Sequence, residues 1–71
     1  MDIDLLEVKT ALQEMGKATA LEMVEALDIQ LTQRNRTEIL SKVRSAMRKI
    51  VDTNGGKRVR YTKDNQLIYE L

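Results

Sequence analysis

The residues with chemistry to offer are cations and small hydroxyls, and they crowd into one end of the chain. Arg34, Arg36, Lys42, Arg44, Arg48, Lys49, Lys57, Arg58, Arg60 and Lys63 all follow residue 28, with Thr37, Ser41 and Ser45 among them. Guanidinium and ammonium groups hold anionic oxygens, so this set points to a polyanionic partner. The first 28 residues are the reverse. Seven acids there face only Lys9 and Lys17, a net −5, while residues 29–71 carry ten cations and four acids, a net +6. The overall charge of +1 conceals that division, and asymmetry of this kind predicts a charged partner on one side.

Other chemistries lack their residues. The chain has no cysteine and no histidine, which leaves no disulfide, thiolate, zinc-finger or histidine-base chemistry. Glu22 and Glu25 are spaced as a pair on a helix, an arrangement expected of a solvated face. Gly55-Gly56-Lys57 has neither the spacing nor the following hydroxyl of a phosphate-binding loop. Neither an enzyme nor a cofactor is therefore expected. No run approaches the roughly 18 apolar residues of a membrane span. The opening MDIDLLE is acidic where an export signal is basic, so a cytoplasmic location is expected.

These cations need elements to hold them, and 71 residues allow a single domain over 1–71. With no phenylalanine or tryptophan and only Tyr61 and Tyr69 as aromatics, its core must be largely aliphatic. Asp4, Thr19 and Asn35 are each followed three places later by Glu7, Glu22 and Glu38, a repeated capping-box signature that predicts three helix starts. The first helix is expected over 5–15, with Leu5, Val8, Leu12 and Met15 on its buried face and Gly16 ending it. The second is expected over 20–27, burying Leu21, Val24 and Leu27, with Ala18 and Met23 at staple positions. The third is expected over 36–52, with Ile39, Leu40, Val43, Met47, Ile50 and Val51 as its apolar stripe. Thr32 offers an earlier start for it. Asn54-Gly55-Gly56 then reverses the chain.

Beyond that point the period changes to two. Val59 and Tyr61 alternate with Arg58 and Arg60, and Leu67, Tyr69 and Leu71 alternate with Ile68 and Glu70. A C-terminal β-hairpin is expected. A three-residue loop at Lys63-Asp64-Asn65 would place Tyr61 opposite Leu67, Val59 opposite Tyr69, and Arg58 opposite Glu70. Arg58 and Arg60 would then share the outward face.

The segment Lys17-Ala18-Thr19-Ala20-Leu21-Glu22-Met23-Val24-Glu25-Ala26-Leu27, followed by a long basic helix, a glycine break and a hairpin bearing arginines, resembles the winged helix-turn-helix family of small bacterial DNA-binding domains. The resemblance implies a mainly α fold with three helices and a C-terminal hairpin wing. It implies binding of double-stranded DNA in transcriptional regulation, with helix three in the major groove. Arg34, Arg36, Thr37, Ser41, Lys42 and Ser45 then become candidates for base or nearby phosphate contacts. Lys57, Arg58, Arg60 and Lys63 become candidates for the wing's contacts to the backbone. Residues 28–35 are longer than the usual turn of the motif. Competing roles are expected for Lys42, paired with Glu38 one turn away, and for Arg58, held by Glu70. As a capping residue, Glu38 would turn back toward Asn35. One small monomer makes few base contacts, so a homodimer or a protein partner is expected beside DNA, and no small-molecule ligand. Winged helices also serve as protein-interaction modules without DNA, which is the alternative for this chain.

Overall fold

A computed structural model describes residues 3–59 and 66–71, with Val59 described by its backbone alone. The elements run α1 (Leu5–Met15), β1 (Lys17–Thr19), α2 (Ala20–Ala26), α3 (Arg36–Thr53), β2 (Lys57–Val59) and β3 (Ile68–Glu70). The fold is mainly helical, with a small antiparallel sheet ordered β1-β3-β2. Among the described residues no helix is long and apolar enough to cross a membrane.

Asp4 caps α1 by accepting from the Leu6 amide at 2.9 Å. Val8 and Leu12 are fully buried, but Leu5 and Met15, expected on the same face, are 41% and 38% exposed. α1 packs against α2, α3 and β1, and the exposed Leu5 and Met15 are its two terminal residues. Gly16, at φ 78°, ends the helix as its position implied.

Three residues of strand follow where only a helix start was expected. Thr19 closes β1 and caps α2 with a complete box. Its hydroxyl accepts from the Glu22 amide at 3.2 Å, and its own amide donates to Glu22 Oε1 at 2.9 Å. Ala18 and Met23 on either side of the cap are both buried, as a staple requires. α2 ends in a Schellman turn. The Ile29 amide donates to Val24 O at 3.0 Å and the Asp28 amide to Glu25 O at 3.1 Å. Asp28 occupies the left-handed position, at φ 56°.

α3 starts at Arg36 as expected, but without the expected side-chain cap from Asn35. Asn35 has helical backbone angles and makes no capping bond of its own to α3. Its side chain instead accepts from the Thr32 amide at 2.7 Å, and Thr32 Oγ1 accepts from the Asn35 amide at 3.2 Å. This is a capping box with asparagine in the glutamate's place. The Arg36 amide also donates to Thr32 O at 2.9 Å, so a single turn over 32–36 leads into α3. The connection between α2 and α3 runs over residues 27–35. Glu38 is released from capping and pairs with Lys42 Nζ at 3.2 Å.

α3 is the spine of the core. Ile39, Leu40, Val43, Ala46, Met47, Ile50 and Val51 are all buried, and α1, α2, β2 and β3 pack on it. Leu21 and Leu27, expected inside, are only partly buried at its edge. The helix ends at Asn54, whose side-chain amide donates to Ile50 O at 2.8 Å. Gly55 turns the chain at φ 72°. Gly56 then passes so close to β3 that a Cβ there would collide with the Glu70 carbonyl.

That close passage sets the strand register. Lys57 lies opposite Glu70, Arg58 opposite Tyr69, and Val59 opposite Ile68, which displaces the expected pairing by one residue. The expected register considered the hairpin alone. β3 is the central strand, and its other edge pairs Ala18 with Tyr69. Residues directly opposite share a face, so buried Ala18 and Tyr69 fix one face of β3 as inward and put Arg58 on that same side. Arg58 is therefore neither outward-facing nor paired with Glu70. The Tyr61–Leu67 pair, the loop at 63–65 and the facing of Arg60 lie outside the described residues.

Candidate nucleic-acid interface

Thr37, Ser41, Arg44 and Arg48 recur along α3 at steps of four, three and four and so share one stripe of the helix. All four are exposed. The stripe flanks the sheet, and a cleft of about 250 Å³ separates the two. Ser41, Arg44, Ser45 and Arg48 line it from α3, Arg58 from β2, and Leu67 and Tyr69 from β3. A second recess of about 180 Å³ shares Arg44, Leu67 and Tyr69 and adds Ala20 and Gln66. Three guanidinium groups, from residues 14 positions apart at the extremes, thus meet around one opening.

Asp52 holds two of them. Its carboxylate lies 3.9 Å from Arg48 Nε and 3.7 Å from Arg58 Nε. These groups are between 40% and 66% exposed, so each pair contributes only about 0–1 kcal/mol. One carboxylate on the last turn of α3 thus lies beside both an arginine of the helix and an arginine of β2. Three cations against one acid leave the cleft positive. Tyr69 forms its inner wall, 4% exposed. Burial raises its phenol pKa above the ordinary value, while the positive charges of Arg44, Arg58 and Arg48 pull it the other way. The phenol is thus neutral near pH 7.

The expected site residues divide around this cleft. Ser41, Ser45 and Arg58 line it. Thr37 begins its stripe, and Arg34 is exposed in the turn before α3. Arg36 is exposed on the first turn of α3. Lys42 lies on the other flank of α3 and pairs with Glu38. Lys57 is exposed opposite Glu70. Arg60 and Lys63 lie outside the described residues.

Arg44, which lines both recesses, and Arg48 were not among the expected contacts. Their signal was the 37-41-44-48 spacing. Which side of α3 the sheet flanks was the missing information. Among the described residues no group of acids, histidines or cysteines could hold a metal ion. Comparison with known proteins returns no match, whether to family models, curated sequences or solved structures.

Proposed function

We propose that the chain is a winged-helix domain that binds double-stranded DNA, in the service of transcriptional regulation. The observation that carries this reading is the meeting of Arg44, Arg48 and Arg58 with Ser41 and Ser45 at the cleft between α3 and the sheet. A polyanion with regularly spaced charges suits such a cleft, because each neutralised phosphate releases a counterion. In this reading α2 and α3 are the helix-turn-helix, joined by residues 27–35, a connection longer than the motif's usual turn. β2 and β3 are the wing. Arg34, Thr37, Ser41 and Ser45 face the major groove, while Arg44, Arg48 and Arg58 take phosphates of the flanking backbone. Lys57, Arg60 and Lys63 extend the wing's contacts. Lys42 meets bases only after leaving Glu38. Two copies on adjacent half-sites would double the contact set.

Chemical-shift mapping with a short duplex tests the reading. Perturbations should gather on residues 34–48 and 57–58. Their absence at low salt would reject DNA as the partner and favour the protein-interaction module, a reading the net charge of +1 supports.

A further inference from the structure

The molecule has a second concave surface, on the acidic half of the chain. Leu6, Glu7, Thr10, Ala11 and Glu14 of α1 face Ala26 and Leu27 across a groove of about 430 Å³. Leu6 is 70% exposed, although it is a large apolar side chain on a packed helix. Leu6, Ala11, Ala26 and Leu27 make the lining apolar. Both charged residues in that lining, Glu7 and Glu14, are acids, one helical step either side of Ala11. No lining residue is shared with the α3–sheet cleft, so the two surfaces can be occupied together.

We propose that this groove docks a cationic amphipathic helix from a partner protein. The helix would set leucine-sized side chains against Leu6, Ala11 and Leu27, and lysines or arginines beside Glu7 and Glu14. An apolar trough between two helices accepts the apolar face of a third, and the acids on its edge choose the sign of that helix's polar face. The 11 residues of α1 extend about 16 Å, enough for roughly three turns of a partner. The same acids repel an anionic membrane surface. A second copy related by a two-fold axis would bring Glu7 and Glu14 against their own counterparts. The basic helix of another copy does not fit either, because Ile39, Val43, Met47 and Ile50 of α3 are already buried in its own core. The inference is independent of the DNA reading, since it rests on different residues.

The test titrates the isotope-labelled full chain with two synthetic helical peptides of about 15 residues. One peptide pairs a leucine face with lysines, and the other pairs the same face with glutamates. The leucine–lysine peptide should shift the amides of Leu6, Thr10, Ala11 and Ala26, and the leucine–glutamate peptide should not. Leu6→Asp should weaken binding at least about tenfold, and Leu6→Ser gives the same readout if the aspartate disturbs folding. Glu7→Lys with Glu14→Lys should transfer the preference to the glutamate peptide. Equal binding of both peptides would overturn the proposal, as would shifts confined to α3 and the sheet. A free chain that sediments as a dimer and becomes a monomer on Leu6→Asp would also overturn it, by naming a second copy as the occupant.

Discussion

Arg58 lies directly opposite Tyr69 in the β2–β3 ladder, on the inward side of the sheet, and its guanidinium reaches Asp52 of α3 at 3.7 Å. This relationship ties the hairpin strand to the long helix through charge, and it turns an arginine expected on an outer face into the far wall of a cleft. The positions of Arg44 and Arg48 acquire their meaning from it, since both look across the same opening.

Asp52 is the acid among these arginines, and its removal separates placement from charge. Asp52→Ala should change stability by no more than about 2 kcal/mol, because each of its two exposed ion pairs contributes about 0–1 kcal/mol. If the cleft takes phosphate, losing that negative charge should tighten binding to every duplex alike. Urea unfolding and fluorescence anisotropy measure the two effects. Weaker DNA binding by a stably folded variant would instead make Asp52 the residue that positions Arg48 and Arg58.

Capping can be tested at two adjacent candidates. Thr32 exchanges two hydrogen bonds with Asn35, so Thr32→Ala should cost about 0.5–2 kcal/mol. Glu38→Gln loses only an exposed pair with Lys42 and should cost less than about 1 kcal/mol. The reverse order in thermal unfolding would restore Asn35 and Glu38 as the capping pair.

Gly56→Ala should be more damaging than its size suggests. Its Cβ would collide with the Glu70 carbonyl and press on Val51 and Leu71. Overpacking of this kind typically costs about 1–3 kcal/mol. Unchanged stability would show that β2 can retreat from β3.

Tyr69 gives the alkaline limit. Its pKa is raised by burial, so between its unfolded and folded values the native state holds a proton that the unfolded chain has lost. Stability from this group is therefore complete below about pH 10 and falls as pH rises through the folded value. Tyr69→Phe should remove that part of the alkaline decline, visible as a flatter unfolding free energy above about pH 10. An identical decline in both proteins would place the titration elsewhere.

Much of this architecture was legible in the sequence because local chemistry dictated it. Leu5–Met15 and its Gly16 stop follow from apolar spacing and one glycine. The Thr19–Glu22 box is a local exchange of two bonds. What escaped was set between distant segments. β1 is only Lys17–Thr19, too short to show alternation, and it exists through pairing with Ile68–Glu70. The register of β2 answers to Ala18 and Gly56 as well as to its own hairpin. Among the site residues, Ser41 and Ser45 could be read from helical phase. Arg44 and Arg48 could not be assigned to the cleft until the sheet fixed which flank of α3 it borders.

The salt dependence of duplex binding tests the central claim most directly, with the wild-type chain compared against Arg44→Ala/Arg48→Ala/Arg58→Ala by fluorescence anisotropy. If each arginine neutralises one phosphate, the variant should bind more weakly on every duplex. The slope of log affinity against log salt should fall by about 2.7. A folded variant with the same affinity and slope as the wild type would contradict the account.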